Sequence, residues 1–148
     1  MPKQKRILVI HGPNLGLLGE REVDVYGRVT LSGINAHLKK IALSKKIKID
    51  AFQSNHEGEI VEKIGKSKNI YDGILINPAA YTHTSIAIRD AISAVGIPTV
   101  EIHLSNIYSR EDFRHISLIA PVCVGQVSGF GKNSYVMGLN ALIDIVSK

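Results

Sequence analysis

Five short runs rich in β-branched residues, at 7–10, 47–52, 73–76, 99–104 and 122–127, are separated by stretches in which apolar residues recur every three or four positions. Leu31, Ile34, Leu38 and Ile41 form one such stretch; Ile60, Val61 and Ile64 form the next. Ile88, Ala91, Ile92 and Val95 follow, then Leu139, Leu142, Ile143 and Val146. Alternation of strand and helix predicts a parallel sheet, because each parallel pair needs a crossover and both sheet faces must then be covered.

The expected fold class is therefore α/β, a doubly wound five-stranded parallel sheet. In the flavodoxin-like order 2-1-3-4-5, a crevice opens where the order reverses, beyond the C-terminal ends of strands 1 and 3. With 148 residues, 45% of them hydrophobic, the chain suffices for one core and is short for two, so residues 1–148 are expected to form a single domain. No repeat, low-complexity tract or linker divides it.

The net charge of +5 suits an anionic partner, but the basic residues are scattered apart from residues 3–6 and Lys45, Lys46 and Lys48. Three Phe and no Trp provide little for base stacking, so no nucleic-acid partner is expected. The single cysteine, Cys123, rules out an intramolecular disulfide and a multi-Cys zinc site. The first apolar run is far shorter than a signal-peptide core or a membrane span, so the expectation is a cytoplasmic protein with no membrane partner.

Polar residues crowd the expected strand exits: His11-Gly12-Pro13-Asn14, Gln53-Ser54-Asn55-His56, Asn77-Pro78-Ala79-Ala80, His103-Leu104-Ser105-Asn106 and Ser128-Gly129-Phe130-Gly131. The first opens the loop HGPNLGLLGEREVDVYG at 11–27. Its glycines miss the dinucleotide fingerprint, and no Gly-Lys-Ser/Thr closes a phosphate loop. A receiver-type phosphoacceptor would want acids where His11 and Asn77 stand. The histidines show neither an HExxH helix nor a Cys/His cluster, so no metal is expected.

Glu101 and His103, two apart on the fourth strand, project from one sheet face. There a carboxylate can fix an imidazole tautomer and make it a general acid, or the histidine can simply cap a strand end. The Leu104-Ser105-Asn106 turn offers backbone N–H groups to a carboxylate, which suggests an acidic substrate. Thr82 reads as the N-cap of the helix carrying Ile88 and Ile92, with His83 in its first turn facing the crevice. Thr82, Thr84 and Ser85 read as caps rather than catalysts, and Asp90, off the apolar stripe, as a solvated acid.

The segments GPNLGLLGEREVDVYG (12–27), QSNHEGEIVEKI (53–64), INPAAYTHTSIAIRDAI (76–92), VEIHLSNIYSREDFRHIS (100–117) and GFG (129–131) resemble, in order and nearly end to end, the type II 3-dehydroquinate dehydratases. That resemblance implies a hydro-lyase that reversibly dehydrates 3-dehydroquinate to 3-dehydroshikimate through an enolate, without metal, Schiff base or other cofactor. It implies Tyr26 as the base, His103 as the acid, Arg21 stabilising the Tyr26 anion and the transition state, and Asn14 holding the enolate oxygen through an ordered water. Glu101 becomes the partner of His103. Asn77 and His83 would contact substrate hydroxyls, Leu104 and Ser105 the carboxylate through backbone groups, and Arg114 would add a polar contact. Asp90 would reach the site of a neighbouring subunit in a dodecamer built of trimers.

On this reading the loop at about 14–27 is a lid. Three positions in two motifs depart from the family pattern: His11 and Gly16 replace asparagines of the first motif, and Ala79 stands where Gly is common in the third. Extra backbone freedom at Gly16 is expected to affect lid closure and affinity. The competing reading is a non-catalytic flavodoxin-like module that binds a nucleotide or another anion.

Overall fold

A computed structural model describes residues 3–20 and 29–148. Its strands are β1 (Arg6–His11), β2 (Lys48–Gln53), β3 (Gly73–Asn77), β4 (Thr99–His103) and β5 (Gly125–Ser128), and its α-helices are α1 (Leu31–Ser44), α2 (Glu57–Gly65), α3 (Ile86–Val95) and α4 (Lys132–Val146). The strands form one sheet in the order β2-β1-β3-β4-β5, every neighbouring pair parallel, as the alternation predicted.

The two-residue period of β1 sorts the core. Ile7 and Val9 pack with Ile34 and Leu38 of α1 and Leu139 and Leu142 of α4 on one face. Leu8 and Ile10 pack with Ile60 and Ile64 of α2 and Ile88 and Ile92 of α3 on the other. Each enclosed Ile or Leu is worth about 1.5–3 kcal/mol relative to an exposed one, so these clusters fasten the helices to both faces. α4 lies so close that a Cβ on Gly138 would fall 2.5 Å from Ile102 Cγ2.

The fifth strand is shorter than its sequence run. Residues 122–124 lie outside it, because the chain first turns through a short 3-10 helix, Ala120–Val122. Val122 N–H donates to Ile119 O and Cys123 N–H to Ala120 O, so those donors are not available to the sheet. Thr82 is likewise not the cap of α3. Ser85 Oγ accepts from Ile88 N at 2.9 Å, while Thr82 sits one turn earlier in the 3-10 segment Ala79–His83.

The sheet's topology brings the ends of β1 and β3 together, with His11 opposite Asn77. Gly12 N donates to Asn77 O at 2.8 Å, and a Cβ at Gly12 would meet Pro78 O at 2.5 Å, so only glycine allows this approach. Ala79 adopts φ 52°, where an L-residue costs about 1–2 kcal/mol and glycine none. Gly16 lies in the 3-10 turn Leu15–Leu17 without a left-handed φ, and a Cβ there would first touch the Gln53 side chain at 3.4 Å. An ordinary residue would fit at Gly16.

His11 is fully buried at the end of β1. Burial pushes its imidazole down to about 4, with a hydrogen bond to Asn35 opposing in part. Above the ordinary value near 6.5 the folded and unfolded chains both hold it neutral; as pH falls from there toward 4, only the unfolded chain gains the proton. Stability should therefore fall over this window by about 3 kcal/mol more than in His11→Asn, measured by urea unfolding at each pH. Parallel pH profiles for the two proteins would refute this.

Candidate active site

A crevice opens at the C-terminal ends of β1, β3 and β4. Asn14 reaches it from the first exit, Asn77 and His83 from the second, and His103, Leu104 and Ser105 from the third, with Arg110 and Arg114 at the side. Seven of the expected site residues thus meet around one space: Asn14, Asn77, His83, His103, Leu104, Ser105 and Arg114. Arg21 and Tyr26 lie outside the described residues, as does the second half of the expected lid. Asp90 is exposed on α3 and does not line the crevice of its own chain.

Behind His103 the chain builds a buried carboxylate. Glu101 is 0% exposed and accepts from Thr82 Oγ1 at 2.8 Å, Ser117 Oγ at 2.8 and 3.0 Å, and Gln126 Nε2 at 3.3 Å, as well as from His103 Nε2. Burial pushes the carboxyl up, but the hydrogen bond and charge of His103, with Ser117 and Thr82, outweigh it and hold the acid below its usual range. Because Glu101 engages Nε2, Nδ1 is the other ring nitrogen that His103 can offer to a ligand. His103 is thus tethered to a buried carboxylate at the wall of the crevice.

His83 is held differently. Its Nδ1–H donates to Ile116 O at 2.8 Å, which leaves Nε2 for a ligand, and its ring stacks on that of His103 with centroids 6.5 Å apart. Burial lowers its proton affinity, the Ile116 bond opposes this, and the charges of His103 and Arg114 lower it further. Asn77 is buried, with Oδ1 accepting from Ala79 N at 3.0 Å. Asn14 takes a left-handed φ of 69°, and its N–H donates to Asn55 Oδ1 at 2.9 Å, which leaves its side chain at the crevice.

Cations line the remaining wall. Glu111 pairs with Arg114 Nε at 3.1 Å and Arg110 Nε at 3.5 Å, and Arg110 Nη1 donates to Ser105 Oγ at 3.4 Å. The wall therefore suits an anionic substrate.

Sequence reasoning missed Arg110, Ser117 and Gln126 and misread Thr82. Ser117 closes the VEIHLSNIYSREDFRHIS segment, and Gln126 stands opposite Glu101 in the β4–β5 register. A polar residue amid a strand's apolar ones was the available signal for Gln126. Among the described residues, no three His, Cys, Asp or Glu side chains gather as a metal site.

A family model described as "Dehydroquinase class II" matches residues 5–143. The chain belongs to the class II dehydroquinase family. A 3-dehydroquinate dehydratase from Acaryochloris marina is 62% identical over 137 residues, covering 93% of this chain and 92% of that protein. One from Geotalea daltonii is 56% identical over 143 residues, covering 97% and 99%. The type II dehydroquinase crystal structure from Butyrivibrio crossotus shares the fold at a TM-score of 0.91 and 46% identity, covering 98% of this chain and 99% of that one. Its family membership agrees with the five-stranded order 2-1-3-4-5 found here.

Proposed function

We propose that this chain is a 3-dehydroquinate dehydratase, a hydro-lyase that converts 3-dehydroquinate reversibly to 3-dehydroshikimate in the shikimate pathway, toward aromatic amino acids. The observation that carries the chemistry is the buried Glu101 carboxylate holding His103 at the crevice. In the reaction, Tyr26 removes the proton from the carbon next to the ketone, giving an enolate. His103 then donates a proton to the departing hydroxyl, which leaves as water, and the enolate collapses to the conjugated ketone. Glu101 stays ionised throughout and compensates the imidazolium.

Arg21 stabilises the Tyr26 anion, and Asn14 holds the enolate oxygen through an ordered water. Asn77 and His83 bind ring hydroxyls, Leu104 and Ser105 bind the carboxylate through their backbone, and Arg114 adds a polar contact. The loop at about 14–27 closes over the substrate as a lid. Adding 3-dehydroquinate to the purified protein should produce the ultraviolet absorbance of the conjugated product; silence in that assay would overturn the assignment in favour of an anion-binding module.

The same reading makes the working form a dodecamer built of trimers, in which Asp90 completes a neighbour's site, and places it in the cytoplasm. The exposure of Asp90 on α3, away from its own crevice, supports an intersubunit role. Asp90→Ala should lower kcat/KM by about tenfold, the scale of one polar contact, while light scattering shows the parent protein as a multimer. A fully active monomer would contradict this. No helix among the described residues is long and apolar enough to cross a membrane.

A further inference from the structure

Behind Asn77 lies a chain of hydrogen bonds that the reaction does not use directly. His11 Nε2 lies 2.7 Å from Asn35 Oδ1 on α1, and His11 Nδ1 lies 2.7 Å from Tyr135 Oη on α4. Tyr135 Oη in turn lies 3.1 Å from Asn77 Nδ2. His11 and Tyr135 are both 0% exposed, with ring centroids 5.3 Å apart. Two strands and two helices therefore meet at one enclosed polar string.

The donors of this string have one consistent arrangement. Asn35 Oδ1 can only accept, so His11 Nε2 carries the proton, and in a neutral imidazole Nδ1 is then an acceptor. The Tyr135 hydroxyl must donate to Nδ1, and its oxygen accepts Nδ2–H from Asn77. Burial keeps the imidazole neutral, down at about 4, and keeps the phenol protonated by pushing it well above its ordinary range. With Ala79 N–H on its Oδ1 and Tyr135 on one Nδ2 hydrogen, the second Nδ2 hydrogen is the donor Asn77 has left for a ligand.

We propose that His11 and Tyr135 are positioning residues, a directional relay that locks the Asn77 amide so that it offers a donor to a substrate hydroxyl. This rests on the proposed contact between Asn77 and 3-dehydroquinate. Without an acceptor at position 11, the Tyr135 hydroxyl is free to turn its hydrogen toward Asn77, and the amide is left with the Ala79 N–H alone to set its orientation. The relay reaches the substrate from two residues that never touch it.

Two measurements test this. Long-range proton–nitrogen NMR of the His11 imidazole at neutral pH should show the Nε2–H tautomer. An Nδ1–H tautomer or an imidazolium overturns the relay whatever the enzyme's substrate. In steady-state dehydration assays, Tyr135→Phe and His11→Leu should each raise KM about tenfold with kcat within about threefold, the mark of a lost binding contact. His11→Asn, which keeps an acceptor oxygen for the Tyr135 hydroxyl, should restore KM to within about twofold of the parent.

A purely structural role would lower the melting temperature without moving the KM of the folded enzyme. An unchanged KM in Tyr135→Phe, or His11→Asn as impaired as His11→Leu, overturns the relay. If His11→Leu does not fold, Tyr135→Phe decides. If the parent protein does not turn over 3-dehydroquinate, the functional reading fails and the imidazole spectrum still decides the relay.

Discussion

His103→Ala is expected to lower kcat for 3-dehydroquinate dehydration by about 10²–10⁴-fold, the usual contribution of a positioned general acid. The hydroxyl that leaves is a poor leaving group unless it is protonated as the bond breaks, and His103 is the imidazole that lines the crevice with a carboxylate behind it. The variant should still fold. Glu101 would keep Thr82, Ser117 and Gln126 as donors, so the buried carboxylate is not orphaned. A lowered melting temperature with the native circular dichroism retained, together with collapsed turnover, is the expected pair of results. Turnover within tenfold of the parent would remove His103 from the acid role.

Tyr26→Phe should abolish turnover, by about 10³-fold or more, and leave substrate affinity largely in place because the ring is retained. A phenol with an ordinary pKa of about 10 is a weak base near neutrality unless a close cation lowers it, typically by about 1–3 units. Arg21 is the cation the sequence supplies, five positions earlier. Arg21→Ala should therefore keep a residual rate that climbs as pH rises toward the phenol's ordinary range. Near-normal dehydration by Tyr26→Phe, read by the same absorbance assay, would give the base to another group.

Much of the fold was legible because strand and helix periods are local. Ile7 to Ile10 alternate between two cores, and Ile88 and Ile92 share one helical face, whatever the rest of the chain does. Where local pattern failed, another use for the backbone intervened. Residues 122–124 look like strand, but Val122 and Cys123 spend their N–H groups inside a turn. Thr82 looks like a cap, yet Ser85 three residues later takes that place and frees the Thr82 hydroxyl for Glu101.

The candidate site shows the same division. A spacing of two put Glu101 and His103 on one face of β4, and family resemblance named Asn14, Asn77, His83 and Arg114 before any geometry. Neither could show that Ser117 and Gln126 converge on Glu101 or that Arg110 shares Glu111 with Arg114.

By itself, then, the sequence determined the alternation of elements, the parallel sheet, the family and the residue types at each strand exit, since these depend on intervals of two to four residues and on ordered motifs. Only the tertiary structure decided which nitrogen of His103 engages Glu101, what holds Glu101 ionised in the core, and that His11, Tyr135 and Asn77 form one string. Those contacts join residues as far as 124 positions apart, and hydrogen-bond direction among them is set by which partners the packed helices and strands bring within reach.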